Sequence, residues 1–440
     1  MHRESTDLII NARWVIPVDA DDSVLEHHAV VVRNGLIAAV LPQPEARARF
    51  ASHDTVDLPD HVLIPGLVNT HTHAAMSLMR GIADDLPLMR WLKEAIWPTE
   101  DRHVNGAFVR DGSLLAATEM LSGGITTCNE MYFYPDAAAE AFDEVGIRAV
   151  IGVTVIDFPT PYAANADEYF RKGLAARDRW LRHPRLSFNI APHAPYTASD
   201  DTLTRAASLA AELDCGLHMH VHETAHEVVE SLERYRMRPI TRLTELGLLG
   251  KNFIGVHAIH LDDTDIEQLA RNACSIVHCP TSNMKLASGI APLDSMMRAG
   301  INCALGTDGA ASNNRLDMFQ EMRHAALLAK VHSGDAGVIP ARTALRMATL
   351  NGATALGLGD LTGSIEKGKY ADLCAISLAN VATQPCYDPL SHLVYAAGRE
   401  HVTHVWVNGE CRVGNATQLL QGSNRKLMAT ATTWQSRLKS

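Results

Sequence analysis

Apolar residues along this chain come in short runs, and the pattern of those runs changes twice. Near the start, DLIINARWVIPV and AVVVRNGLIAAVLP are β-branched runs of strand length, and Asn34-Gly35 within the second is a hairpin signal, because the tightest antiparallel turn needs two consecutive residues at positive φ. The far end repeats the theme in YADLCAISL and in HVTHVWVNGECRV, with Asn408-Gly409 at its turn. Between the two ends, strand-like runs alternate with helical stretches, which reads as parallel α/β structure. Eight such runs follow one another: VLIPGLVNTHTH, GITTCNEM, RAVIGVTVID, LSFNIAPHAP, GLHMHVHET, NFIGVHAIHL, CSIVHCPTSN and INCALGTDGA. Most begin almost wholly apolar and turn polar at the end, as strands buried on both faces must. Helical candidates such as DGSLLAATEMLSGG, DTLTRAASLAAELD and APLDSMMRAG lie between them. Eight strand–helix units predict a (β/α)8 barrel of TIM type over residues 62–362. Residues 1–61 and 363–440 are expected to pair into a small β-sandwich domain made from both chain ends.

A barrel places chemistry at the C-terminal ends of its strands. Those ends carry His71 and His73, Glu130, His193, His220 with Glu223, His257, His278 and Asp308. Any one of them could merely start a loop; seven of eight runs ending this way point to a site. Charge narrows its partners. A net charge of -11 over 440 residues disfavours nucleic acid and anionic membranes, which need basic patches. No stretch approaches the ~20 apolar residues of a membrane span, and MHRESTDLII has no apolar signal region. The eight cysteines form no C-x-x-C pair and read as buried, reduced thiols of a cytoplasmic protein.

The densest chemistry is HMHVHETAHE, His218 to Glu227. As a strand, its H-x-H pattern puts His218, His220 and His222 on one face at successive depths, so one or two can reach the rim. As a helix, His222-Glu223-x-x-His226 would match the zinc helix of a metalloprotease. The strand-like CGLHMHV before it favours the first pattern, and the second leaves His71, His73, His257 and Asp308 unexplained. With 22 histidines in the chain, about one H-x-H pair is expected by chance. His71-Thr72-His73 gains weight because it closes the first barrel strand, where both imidazoles can reach one ion.

PGLVNTHTHAAMSLMRG, HAPYT, HMHVHET, GVHAIHL, HCPTSNMKL, LGTDGAASNN and GSIEKGKYADL together resemble the metal-dependent amidohydrolase superfamily over essentially the whole chain. Within it, RWLKEAIWPTE makes the chain most similar to the methylthioadenosine/S-adenosylhomocysteine deaminases; guanine deaminases and triazine chlorohydrolases share many of the motifs. The resemblance implies one metal ion per subunit, held by His71, His73, His220 and Asp308. Three imidazoles and a carboxylate suit Zn²⁺, and imidazole also suits Fe²⁺. It further implies that Glu223 acts as the acid at the purine N1, Asp308 as the base, and His257 as the group that orients the attacking water. Glu100 would take the ribose hydroxyls, while His193 and Trp91 would contact the base or pack on the substrate. His218 and His222 are left to supporting roles.

The expected reaction is hydrolytic deamination of the adenine C6 amino group of 5′-methylthioadenosine, with adenosine and S-adenosylhomocysteine as related substrates. Adenosylhomocysteine-accepting relatives often carry an arginine in the third barrel strand, suited to a carboxylate. Here Arg148 falls at the strand start instead, so methylthioadenosine or adenosine is the expected preference. The Met-rich AAMSLMRGIADDLPLM could line a thioether pocket, although Met at helical spacing is more often core. A guanine- or triazine-directed amidohydrolase is the competing enzyme; a non-catalytic barrel is the competing class. A homodimer or larger homo-oligomer is expected on base rates.

Overall fold

The structure is a computed structural model and describes residues 3–414 and 421–439. It contains two sheets. The chain opens with β1 (Glu4–Val15), β2 (Leu25–Arg33), β3 (Leu36–Pro42) and β4 (Phe50–Pro65). The central strands are β5 (Leu67–Thr72), β6 (Ile125–Glu130), β7 (Arg148–Val155), β8 (Leu186–Pro192), β9 (Leu217–Val221), β10 (Phe253–His257), β11 (Ser275–His278) and β12 (Asn302–Leu305). β13 (Leu373–Ser377), β14 (Val402–Val407) and β15 (Glu410–Val413) follow.

β5 to β12 form the expected barrel, each parallel to its sequence neighbour. β7 is buried at every position, which explains its nearly continuous apolar run after Arg148; β6 (ITTCNE) is as buried but polar, and its Asn129 amide is satisfied inside the barrel by the Thr70 carbonyl at 3.0 Å. The seam between β12 and β5 is closed by polar groups. The Asn69 amide donates to Thr307 Oγ1 at 2.8 Å and accepts the Thr307 N–H at 2.9 Å. The Asp308 N–H donates to the His71 carbonyl at 3.0 Å. The ring therefore closes at the level of the predicted ligands, which fixes His71 and Asp308 to each other through the backbone.

The predicted helices appear between the strands, as Gly106–Ser122, Asp200–Glu212 and Leu293–Arg298 among others. Side-chain caps start several of them: Asn105 accepts the N–H groups of Ala107 and Phe108, and Ser199 that of Thr202.

The run VLIPGLVNTHTH does not form one strand. VLIP ends β4 and belongs to the other sheet, and LVNTHT is β5. Gly66 makes the break: a Cβ there would lie 2.0 Å from Thr126 Oγ1, so only glycine lets the chain cross between sheets at this point.

The remaining strands pair in the order β15-β14-β13-β4-β1-β2-β3, so the two chain ends share one sheet. Both predicted hairpins are present, with φ of 52° and 75° at Asn34 and Gly35 and of 52° and 74° at Asn408 and Gly409. Buried Arg148 at the start of β7 donates to Asp372 at 2.9 and 3.3 Å, tying the barrel to this sheet. It lies at the end of β7 opposite the predicted site, as its place in the run implied. Helix Gln421–Leu438 is not part of that sheet. It lies on barrel helix Gly106–Ser122, where Trp434 Nε1 donates to Asp111 Oδ2 at 2.8 Å and its ring meets Phe108 edge-on.

Candidate active site

The ends of β5, β9, β10 and β12 bring the predicted residues together. His71 Nε2 lies 3.4 Å from Asp308 Oδ1, His73 Nε2 lies 3.3 Å from the same oxygen, and His220 Nε2 lies 3.2 Å from His71 Nε2. A tetrahedral ion with bonds of about 2.0–2.1 Å sets its donor atoms roughly 3.3 Å apart, so these spacings fit one zinc-sized ion. Two overlapping triads of potential ligand atoms share His71: His71–His220–His257 and His71–His73–Asp308. The other face of each ligand is occupied. His71 Nδ1 meets His218 Nε2 at 3.1 Å, His73 Nδ1 meets the Met131 carbonyl, and His220 Nδ1 meets the His193 carbonyl at 2.8 Å. These contacts leave each Nε2 turned to a common point, which is how an outer layer orients metal-binding imidazoles.

Electrostatics suit the same use. Burial lowers His71 to about 4 and drives His218 and His220 well below the ordinary value, so these imidazoles are neutral at pH 7, the form in which His71 and His220 can bind an ion. Burial opposes ionisation of Asp308, but its hydrogen bond to His71 and the nearby imidazoles outweigh this and hold the carboxyl well below the usual range. Ser282 and Ser312 donate to its Oδ2 at 2.6 and 2.7 Å, and the Gly309 N–H donates to Oδ1 at 2.8 Å. No spacing rule singled out these serines, because neither sits at a strand end.

Beside this cluster stands an acid. Glu223 is buried just past β9, with Oε1 3.8 Å from His257 Nε2. Burial raises its carboxyl above the ordinary value. His257 Nδ1 is held by Asn283 Oδ1 at 2.9 Å, another contact that sequence reading did not find. His222, His257 and Asp308 all have left-handed backbone, at φ of 53°, 73° and 61°. Such non-glycine residues are uncommon and gather where side chains must be aimed.

A cavity of ≈ 350 Å³ opens above the cluster. His73, His193, His220, Glu223, His257 and Asp308 form its floor, and Trp91 and Glu100 its wall, so the predicted contacts share one space. The wall is a helical run, 88–103. It widens at Leu92–Ile96, where the Trp97 N–H reaches back five residues to the Leu92 carbonyl, just before Pro98, which has no N–H to give. Glu100 opens into the cavity, yet burial raises its carboxyl to about 7 against the hydrogen bond it accepts from Tyr132 at 2.6 Å. Tyr132 was not predicted; it sits in MYFYP, among aromatics that look like core. Trp91 is buried and is both core and cavity lining, and Met76 lines the cavity while Met79 is wholly core. His193 Nδ1 is anchored by Thr197 Oγ1 at 3.2 Å.

Two polar strand ends stay outside the cavity. Glu130 is buried and accepts the Ala74 N–H at 2.8 Å, and His278 is buried beneath the site. The overlapping metalloprotease pattern is excluded: His226 is exposed on helix Ala225–Tyr235, whereas His222 is buried before the helix starts. All eight cysteines are free, but only five are fully buried, and Cys411 is exposed near the end of an edge strand. No helix among the described residues is long and apolar enough to cross a membrane.

Residues 62–412 match the model of the amidohydrolase family. The chain belongs to this family. It is 44% identical to a 5-methylthioadenosine/S-adenosylhomocysteine deaminase of Saccharophagus degradans, over 100% of this chain and 98% of that protein. Its fold superposes on the crystal structure of an adenosine deaminase from Xanthomonas campestris with bound zinc, with a TM-score of 0.98 and 48% identity, covering 100% of both chains. The atrazine chlorohydrolase of Arthrobacter aurescens shares the amidohydrolase fold, with a TM-score of 0.89 at 24% identity, over 97% of this chain and 99% of that one.

Proposed function

We propose that this amidohydrolase deaminates adenine nucleosides at C6, converting 5′-methylthioadenosine or adenosine and water into the inosine analogue and ammonia. One observation carries the choice of a nucleoside over a bare ring. Glu100, held by Tyr132, sits in the wall of the same cavity whose floor holds Glu223, His257 and Asp308. A carboxylate there has a use when a ribose offers two hydroxyls, and little use for guanine or a triazine. The full relatives' name agrees, and the set of ligands and acids argues against a non-catalytic barrel.

His71, His73, His220 and Asp308 would hold one Zn²⁺, as the donor spacings and the neutral His71 and His220 imidazoles allow. Zinc, when bound, supplies a water acidic enough to attack at neutral pH. Asp308 takes the proton of the attacking water and delivers it to the departing amine. His257, with Nδ1 fixed on Asn283, presents Nε2 to the attacking oxygen and sets its line of approach to C6. Glu223, whose raised carboxyl keeps a proton closer to neutral pH than a free glutamate would, shares that proton with N1 and makes C6 more electrophilic. C6–O forms first and leaves a tetrahedral carbon; the C6–N bond then breaks, ammonia leaves neutral with the proton from Asp308, and the remaining hydroxyl proton returns to Glu223 as the C6 carbonyl forms.

No Lys or Arg lines the cavity among the described residues, and Arg148 is committed to Asp372 at the far end of β7. The carboxylate of S-adenosylhomocysteine would meet no cation there, so we place it below methylthioadenosine and adenosine. An unpaired charged group costs enough to separate them roughly tenfold in kcat/KM. Ammonia release measured on each substrate in turn tests this, and equal kcat/KM for charged and uncharged substrates would overturn the ranking. The eight unpaired cysteines support a cytoplasmic location, and exposed Val229, Leu232 and Val331 support a homodimer or larger homo-oligomer, which sedimentation would read directly.

A further inference from the structure

Glu223 makes no side-chain hydrogen bond among the described residues; its one ion-pair contact there is with His257 at 3.8 Å. Its aim must come from its backbone, and that backbone is held in an unusual way. His222 is left-handed at φ 53°, so that the N–H groups of His222 and Glu223 turn to the same side. The carboxylate of buried Glu227 takes both: Oε1 accepts the His222 N–H and Oε2 the Glu223 N–H, each at 2.9 Å. Thr224 and Glu227 stand at the first and fourth positions of a helix-capping pair, and Thr224 Oγ1 accepts the Glu227 N–H at 3.2 Å. In an ordinary pair of this kind the glutamate would return to the capping residue's own N–H. Here it reaches one and two residues further back, onto the acid and the residue before it.

The His222 side chain completes the clamp. Its Nε2 accepts the Ile240 N–H at 3.2 Å and its Nδ1 lies 3.1 Å from the His260 carbonyl, which fixes one neutral tautomer with both nitrogens used. Its carbonyl accepts the N–H groups of Ile259 and His260 at 3.0 and 3.1 Å. The turn that carries Glu223 is thus bound on one side to its own helix and on the other to the segment after His257.

We propose that Glu227 is a positioning residue for the deamination: its carboxylate, by holding the His222–Glu223 peptide in the left-handed turn, aims Glu223 at the purine N1. This rests on the reading of Glu223 as the acid at N1. Glutamine at 227 keeps size but replaces one acceptor oxygen with an NH₂ group facing an N–H donor, so one of the two bonds is lost.

The test is a double-substitution cycle on the metal-loaded full chain with methylthioadenosine, comparing Glu227→Gln alone and in a Glu223→Gln background. The expected result is a kcat lower by roughly 10- to 100-fold for Glu227→Gln alone, since small misplacements of a reacting group cost that much. KM should stay within about threefold, and in the Glu223→Gln background the further loss should be no more than about twofold, because the acid that Glu227 aims is already gone. Metal content per chain, read alongside, should match the parent of each pair, and the small fall in Tm from the lost bond should be the same in both backgrounds. Equal losses in the two backgrounds, or no loss in the parent, overturn the positioning role while leaving Glu223 as the acid. A Glu223→Gln enzyme with full kcat instead removes the reading of Glu223 and this proposal with it. If Glu227→Gln does not fold, Glu227→Asp, which retains both oxygens one methylene further back, runs the same cycle under the same criteria.

Discussion

The floor and the wall of the cavity are built differently. The floor rests on the cluster of His71, His73, His220 and Asp308 at the ends of barrel strands, each held from behind by a second hydrogen bond. The wall is the run 88–103 with Tyr132 and the segment around Phe158, largely apolar and partly open to solvent. Floor atoms have little freedom, because the barrel fixes their backbones to one another. Wall residues come from loops and short helices that can change without disturbing the strands. On the proposed roles, hydrolysis belongs to the floor and the choice of nucleoside to the wall. Substitutions in the two should separate into losses of kcat and metal on one side and rises in KM on the other.

Asp308→Ala should break the floor most completely. On the proposed roles it removes a ligand and the base at once, and the two serines and the Gly309 N–H that hold it lose their acceptor. Turnover should fall by roughly 10⁴-fold or more, together with a fall in bound metal. A variant that deaminates at a substantial rate would refute both roles. Glu223→Gln should cost less, roughly 10²- to 10³-fold in kcat, with metal retained, since it stands beside the cluster and outside both ligand triads. Loss of metal in that variant would mean that the floor extends further than drawn.

How much of this division the sequence showed follows the same line. The barrel strands were legible because both faces are buried, and period-two spacing at a strand end paired His71 with His73; within HMHVHE that spacing left His218, His220 and His222 open, and only the family resemblance singled out His220. Arg148 was legible as a strand start for the same reason. The break at Gly66 was hidden, since VLIP runs on into the apolar Leu67 and Val68 with no polar residue between, and the crowding against Thr126 that requires glycine there is visible only in the fold. Tyr132, Asn283, Ser282 and Ser312 were hidden because each acts on a residue far from it in sequence. Glu227 lies between these cases. Thr224-x-x-Glu227 is a visible capping pattern, but which N–H groups it captures depends on the left-handed turn at His222.

The wall is tested first at Glu100. Glu100→Gln should raise KM for methylthioadenosine by roughly tenfold, with kcat nearly kept, because a charged acceptor for the ribose hydroxyls becomes a neutral group with one acceptor oxygen. A substrate without the 2′ and 3′ hydroxyls should be indifferent to the change. The group's own titration sharpens this. Burial raises Glu100 to about 7, so it gains its proton as pH falls through that value and ceases to be a full acceptor. KM for the natural substrate should therefore rise as pH falls below about 7. The dideoxy substrate and the Glu100→Gln enzyme should both lack that rise; a rise that persisted in either would place the titrating group elsewhere.

The smallest expected effect is at Tyr132, and it distinguishes a wall residue that touches substrate from one that acts through another. Tyr132 donates to Glu100 Oε1 at 2.6 Å, and its carbonyl accepts from Thr154 Oγ1 at 3.1 Å, so its backbone is fixed independently of its hydroxyl. Tyr132→Phe keeps the ring and removes one hydrogen bond to a carboxylate, which lowers Glu100's cost of protonation because that bond favours the ionised form. The expected result is a KM for methylthioadenosine up by about three- to tenfold at neutral pH, with the pH at which KM begins to rise moved upward, and kcat unchanged. In a Glu100→Gln background the same substitution should do almost nothing. A loss of equal size there would mean that Tyr132 meets the nucleoside itself, and the wall would then hold two ribose contacts rather than one contact and its support.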